Sequence, residues 1–281
     1  MSAAVPPRAA IDPSLADALT LIVARAGDAI KAIAPVAIAP RSKSDRTPVT
    51  AADEASECLI AGALADLLPG LRVISEEQDN RAIPLTDGAF VLVDPLDGTR
   101  EFIAGRNEFT VNLAVAREWY PVAGFIAVPA FDLVYRGVVG QGAERITIDR
   151  RGSVPAIGTR TVIRTRAAPA DGLVVALSRS HRDAETEAMI ARLPVKDRAV
   201  LGSALKFCRV AEGEADLYPR LGRTREWDVA AGHAIVVAAG GVVARPDGAP
   251  LTYGHAENDF AVEGFLAWGD PAAAAAGGRP P

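Results

Sequence analysis

The stretch FVLVDPLDGTREF (residues 90–102) carries an apolar run straight into two aspartates, Asp94 and Asp97. Two carboxylates held this close repel, and one would ordinarily be forced to keep its proton. A divalent cation removes the conflict, and Mg²⁺ takes a few carboxylates together with waters and phosphate oxygens. Pro-Leu-Asp-Gly is also good turn chemistry, and on this stretch alone a plain turn explains as much.

The pattern recurs. VISEE runs a second apolar strand into Glu76 and Glu77, and REWDVAAGHAIVVAAGG sets Asp228 at the front of a long apolar helix. Each acid has a local alternative: Glu76–Glu77 as a solvated strand end, Asp228 as an N-cap, Asp53 as the acidic partner of Thr50 in a capping box. Those explanations are independent of one another, whereas metal-assisted phosphoryl chemistry needs the whole set. Two ions roughly 3.5–4 Å apart activate a water and stabilise the leaving oxygen. Asp94 is then the natural bridge, and Gly98 and Thr99 fall at a helix start whose N–H groups face an anion. Bound cations would also let an acidic chain hold a phosphorylated ligand.

These residues need elements to place them. The chain has 281 residues, nearly half of them apolar, with a formal charge of −5. That length supports one large or two modest domains, and the charge gives no basic footprint for a nucleic-acid polymer or a polybasic membrane patch. Two cysteines, Cys58 and Cys208, and an N-terminus without a signal-like apolar segment fit a soluble cytoplasmic protein. Peripheral association with a membrane face stays compatible with this. The uncharged run from Val229 to Ala244 is too short to span a bilayer and reads as a buried helix turning into a strand.

Asp12-Pro13 opens a first helix that Pro35 should stop. A second runs from near Thr50 to Pro69-Gly70, with Ala55, Leu59, Ala63 and Leu67 on its packed face. PRSKSDRTPVT between them reads as a mobile loop. Strands follow at 71–75, 89–94, 109–115, 122–128 and 133–139, suggesting an antiparallel sheet under the two helices. In FTVNLAV the alternation of Phe109, Val111, Leu113 and Val115 marks a half-buried strand. Beyond about residue 168 the rhythm becomes strand–helix–strand–helix. The fold class is therefore α/β with an α+β first half: a metal-site domain over 1–168 and a smaller α/β domain over 169–281 completing the site. Residues 1–11 and the tail DPAAAAAGGRPP read as loose.

DPLDGT after an apolar strand, EE upstream and WDVAAG downstream, in that order, resemble the magnesium-dependent, lithium-sensitive inositol monophosphatase superfamily, from about Asp12 to Phe265. DPLDGTREFIAGRNEFTVNLAV, SRSH (178–181), GSALKFC (202–208) and AEGEADLYPRLG (211–222) are most similar to its 3′(2′),5′-bisphosphate nucleotidase branch. The resemblance implies a layered α-β-α-β-α sugar-phosphatase fold and removal of the 3′-phosphate from adenosine 3′,5′-bisphosphate, a by-product of sulfate assimilation. It implies two or three Mg²⁺ per site: Glu76, Asp94 and the carbonyl of Leu96 on one ion, Asp94, Asp97 and Asp228 on a second. Asp53 and Thr99 would orient the nucleophilic water, with Glu76 beside them. Gly98 and Thr99 would offer N–H groups to the scissile phosphate. Ser178, His181, Ser203 and Lys206 fall in pocket segments, with Arg220 and Arg223 as phosphate contacts. Lys206, on a mostly apolar helix, calls for an anionic partner. Relatives often read GTKEF where this chain has Arg100, a departure that bears on substrate rather than on metal. A monomer or homodimer acting on a small phosphorylated nucleotide is expected.

Other readings compete. An inositol monophosphatase or fructose 1,6-bisphosphatase-like activity uses the same metal set. Ser203-Ala-Leu-Lys206 fits the S-x-x-K nucleophile motif of serine hydrolases, without its companion elements. A catalytically silent phosphometabolite-binding protein would keep the fold alone. GQG (140–142) lacks the rest of a dinucleotide fingerprint, and His233 reads as a packed helix residue.

Overall fold

The computed structural model describes residues 11–33, 41–42, 48–49, 51–78, 80, 85, 88–152 and 154–277. The first half is α1 (Pro13–Lys31), β1 (Arg41–Ser42), β2 (Pro48–Val49), α2 (Ala51–Leu67), β3 (Arg72–Ser75), β4 (Phe90–Asp97), α3 (Thr99–Ile103), β5 (Thr110–Arg117), β6 (Tyr120–Val128), β7 (Leu133–Val138), β8 (Gly142–Asp149) and β9 (Ala156–Ile163). The second is β10 (Leu173–Ser178), α4 (Ala184–Ile190), β11 (Val195–Leu201), α5 (Leu205–Ala211), β12 (Leu217–Arg220), β13 (Thr224–Arg225), α6 (Glu226–Ala238), β14 (Val242–Ala244), β15 (Ala261–Val262), β16 (Phe265–Trp268) and α7 (Pro271–Ala275).

Strands β3 to β9 form a seven-stranded sheet in chain order, and β11-β10-β12-β16-β14 form a five-stranded one. Helices α1 and α2 cover one face of the large sheet, and α6 lies on the other. Helix α5 joins α6 between the sheets, and Ile190 of α4 and Ala273 of α7 bury against the far face of the small sheet. The order of layers is α-β-α-β-α. No helix among the described residues is long and apolar enough to cross a membrane.

Several expectations change in detail. The first strand pair is parallel, β3 on β4, while the remaining pairs of the large sheet are antiparallel. Strand β5 is buried on both faces: Val111, Leu113 and Val115 meet the α1–α2 core, and Ala114 and Ala116 meet the α6 core. Its alternation separates two covered faces, not core from water. The hairpin β8–β9 extends the sheet where the sequence reading placed no strand.

Helix α2 buries Ala52, Asp53, Ser56, Ile60 and Leu64, one position round from the predicted face. Two polar residues lie on that face, which a count of apolar residues assigns to solvent. In the predicted mobile loop, Arg41–Ser42 pairs antiparallel with Pro48–Val49; residues 43–47 and Thr50 lie outside the described residues, as do residues 1–10 and Pro35. The start of the tail is a helix because Asp270 caps Ala272 N–H at 2.8 Å, Pro271 presets the first turn and alanines follow.

Small residues let α6 approach the sheet. Ala114, Gly124 and Gly137 are cross-strand neighbours on β5, β6 and β7. A Cβ on Gly124 would overlap the Ala231 carbonyl oxygen, and one on Gly137 would lie 2.6 Å from Ile235 Cα. Because backbone would have to move, Gly124→Ala should cost about 2–3 kcal/mol and lower the thermal midpoint by roughly 5 °C or more. A midpoint unchanged from wild type would show that α6 is not seated by this stripe.

Candidate active site

The carboxylates sit where β4 breaks its register. Asp94 pairs with Asn112 and Asp97 with Thr110, so residues three apart on β4 oppose residues two apart on β5. In a regular strand, positions i and i+3 point to opposite faces. The extra residue of the bulge rephases the strand, and both aspartates extend the face of Phe90 and Leu92 that packs towards α6. Leu96 turns instead into the α1–α2 core. Gly98 follows in the left-handed region (φ 89°), and α3 starts at Thr99.

Hydrogen bonds hold each acid. Leu96 N–H donates to Asp94 Oδ1 (3.1 Å), while Thr110 Oγ1 (3.5 Å) and Asn112 Nδ2 (3.3 Å) reach Asp97 Oδ2. Parallel pairing brings Glu76 alongside, its N–H donating to Val93 O at 3.2 Å. Glu57 of α2 accepts from Ser75 Oγ and Gln78 Nε2, and Asn80 exchanges two hydrogen bonds with the Ser75 backbone. Ser56 Oγ donates to Pro95 O (2.7 Å), which ties α2 to the bulge; Asp53 is buried nearly one turn earlier. Asp228 is the third residue of α6, not its N-cap, and accepts from Arg225 N–H (3.1 Å) and Thr224 Oγ1.

Burial, then the charges of Glu76, Asp97, Asp228 and Asp53, hold the Asp94 carboxyl well above the usual carboxylate range. Burial and Asp228 push Asp97 up to about 6, against the pull of Lys206 and Asn112. Lys206 is itself buried, and burial pushes it down to about 8 although Asp97 favours its charge. Its Nζ donates to Ser203 O and lies 5.1 Å from the Tyr218 ring centroid. The expected anionic partner is thus a carbonyl contact plus the field of Asp97.

A cavity of about 770 Å³ opens on this cluster. Glu76, Asp94, Leu96, Asp97, Gly98, Thr99 and Asp228 line it, and so do Ser178, His181, Ser203, Lys206, Arg220 and Arg223. Asp53 does not line it; it is buried, and its charge acts on Asp94. Thr99 Oγ1 donates to Leu96 O (3.2 Å), and Ser178 Oγ accepts His181 N–H (3.0 Å), shaping the 178–181 turn. Arg220 is half-buried at the wall, whereas Arg223 is exposed and paired with Glu263 at 3.4 Å. Ser203 has φ 42°, and its buried Oγ has no hydrogen-bond partner among the described residues. Lys206 reaches the carbonyl of Ser203 and not its hydroxyl, which removes the geometric basis for an S-x-x-K nucleophile. GQG spans the turn after β7 and the first residue of β8, and His233 is packed against Tyr253 OH (2.8 Å).

Sequence reasoning missed Thr110 and Asn112, and also Glu101, Ser180, Tyr218 and Arg225, which line the cavity; Arg100, singled out as bearing on substrate, lines it too. The signal for the first two was present: they are the polar positions of an otherwise apolar strand, and they face the aspartates.

The donor chemistry fits divalent cations, because buried carboxylates that lift one another's pKa are relieved by positive charge. As they stand, no three acidic, imidazole or thiol side chains among the described residues form a group able to hold an ion. One oxygen of each of three acids, Asp94 Oδ1, Asp97 Oδ2 and Asp228 Oδ2, accepts hydrogen bonds from within the chain.

A model described as the inositol monophosphatase family matches residues 13–270. The 3′(2′),5′-bisphosphate nucleotidase CysQ of Escherichia coli (strain K12) is 38% identical over 254 residues, covering 89% of this chain and 97% of that protein. CysQ of Salmonella typhimurium (strain LT2) is 41% identical over 225 residues, covering 79% and 86%. The crystal structure of CysQ from Bacteroides thetaiotaomicron, described as a bacterial member of the inositol monophosphatase family, is 32% identical with a TM-score of 0.71, covering 92% of this chain and 98% of its own.

The raised carboxyls have a consequence for the chelated protein. A folded-state pKa above the unfolded one gives stability that is full below about pH 4 and lost as pH rises through about 6 for Asp97. Asp94→Asn, which removes one repelling charge, should therefore gain about 1–3 kcal/mol over wild type between pH 4 and pH 7 in EDTA. Denaturation curves at the two pH values measure this, and a pH-independent difference would contradict the repulsion.

Proposed function

The chain belongs to the inositol monophosphatase family, and from that premise we propose that it is a Mg²⁺-dependent phosphatase releasing the 3′-phosphate of adenosine 3′,5′-bisphosphate to give AMP. One observation carries the reading: a single cavity holds the acid cluster together with the buried Lys206 and the half-buried Arg220. A ligand with two phosphates suits such a wall, one at the acids by way of metal and one at the fixed cations.

Glu76, Asp94, the Leu96 carbonyl, Asp97 and Asp228 would hold the ions, two or three in number. When bound, they would polarise the phosphate and lower the pKa of a coordinated water. Asp53, whose charge acts on Asp94, would with Thr99 orient the attacking water. Gly98 and Thr99 offer backbone N–H groups to the phosphate oxygens at the turn into α3. Lys206 and Arg220 take the second phosphate, with Arg223 at the mouth and Ser178, His181 and Ser203 shaping the nucleoside side. Residues 1–168 supply most of the metal site and residues 169–281 most of the substrate wall. A cytoplasmic site of action fits the two free cysteines, one exposed and one buried.

Phosphate release with Mg²⁺ from adenosine 3′,5′-bisphosphate, inositol 1-phosphate and fructose 1,6-bisphosphate tests the proposal directly. The nucleotide should be preferred, and EDTA should abolish turnover. Asp94→Asn should lose at least about a hundredfold in kcat, since even outer-shell changes at metal sites cost 10–100-fold. Arg220→Ala should raise KM for the bisphosphate about tenfold, as expected for a lost charge-assisted contact. Preference for inositol or sugar phosphate would overturn the nucleotide assignment, and no release from any of them would return the chain to a binding role.

A further inference from the structure

The cavity contains a buried carboxylate that the proposed chemistry leaves without a task. Glu101, the third residue of α3, is 3% exposed and lines the cavity. Its Oε1 accepts from Ser180 Oγ, also in the lining. Arg179, within reach of its field, pairs instead with Glu108 at 2.8 Å. Glu101 is closely packed: a Cβ on Gly202 would lie 2.9 Å from its Cγ, and its carbonyl accepts Arg106 N–H at 2.9 Å.

A carboxylate facing a phosphate repels it, so a fixed one in this cavity must meet a part of the ligand that is not phosphate. Helix α3 begins at Thr99, beside the turn assigned above to the scissile phosphate, and Glu101 is two residues on, roughly 3 Å along the axis at the helical rise. The group that meets Glu101 therefore lies on the organic part, next to the ester. There a carboxylate binds a neutral donor, and the nearest one on a ribose phosphorylated at the 3′ or 2′ position is the vicinal hydroxyl.

We propose that Glu101, braced by Ser180, accepts a hydrogen bond from the hydroxyl vicinal to the phosphorylated carbon and selects substrates that carry it; this rests on the phosphatase reading of the same site. A Glu101 that merely balanced the charges of Lys206 and Arg179 would affect every substrate alike.

The test is the ratio of kcat/KM for adenosine 3′,5′-bisphosphate over its 2′-deoxy analogue, in wild type and in Glu101→Gln. The variant keeps the shape and weakens the acceptor, so the ratio should fall about tenfold, as a charge-assisted hydrogen bond becomes a neutral one. An equal ratio in the two enzymes overturns the assignment. Should Glu101→Gln fail to fold, Ser180→Ala carries the test: a lowered ratio supports the brace and an unchanged one overturns it. If wild type cleaves neither nucleotide, the nucleotidase reading falls. Glu101 is then tested with glycerol 2-phosphate against isopropyl phosphate, which differ only in the hydroxyls flanking the ester carbon. An equal ratio there rejects Glu101 separately, and no turnover of any of the four compounds overturns both ideas.

Discussion

Like charges are buried together at the bulge of β4, and most of the surrounding structure serves to hold them there. A regular strand would send Asp94 and Asp97 to opposite faces; the register shift between them against Thr110 and Asn112 aims both the same way. The repulsion that results is an unfavourable term that the fold carries before any ligand arrives. It is tolerated because the bulge is tied down from several directions. Ser56 holds the Pro95 carbonyl from α2, Asn112 and Thr110 hold Asp97 from β5, and the α6 N-terminus adds Asp228.

Helix α6 is the element through which core packing becomes site geometry. It touches β4 to β8 of the large sheet and β14 and β16 of the small one. Its depth is set by side chains that are missing: Ala114, Gly124 and Gly137 beneath it, and its own Gly232, where a Cβ would overlap the Phe207 ring of α5. A helix seated against backbone cannot drift by a few tenths of an ångström, because interiors are packed to crystal-like density. Asp228, three residues into that helix, inherits this precision. Its own capping contacts with Thr224 and Arg225 then fix which way the carboxylate points.

What was legible in the sequence follows from which signals are local. Asp12-Pro13 capping, the apolar run of β4, the turn at Gly98 and the strand–helix alternation after residue 168 are local, and each lies where its residues suggest. The acids lining the cavity were legible because carboxylates at apolar strand ends are costly without a purpose. The burial of Asp53 outside the cavity lining was not legible. Partner-dependent features were missed. The phase of α2 turns on Ser56 and Asp53 having polar partners inside, which no periodicity of apolar residues can show. The two polar residues of β5 look like a solvent face until α6, more than a hundred residues later, covers them. Parallel pairing of β3 with β4 depends on the crossover between them, and β8–β9 on a register no short motif encodes.

The cavity also shows how a chain with a formal charge of −5 can present fixed cations at one site. Net charge governs the far field, but recognition depends on which charges are buried and what they face. Here Lys206 and Asp97 lie within each other's field: the lysine lowers the carboxyl's pKa, and the carboxylate raises the lysine's, while burial acts against both. Each charge makes the other less costly to keep dry. Lys206 comes from α5 of the second half and Asp97 from β4 of the first, so the electrostatic balance of the site exists only when the two sheets are packed around α6. Binding chemistry and tertiary assembly are in this sense one constraint, and the short polar contacts around the bulge connect them.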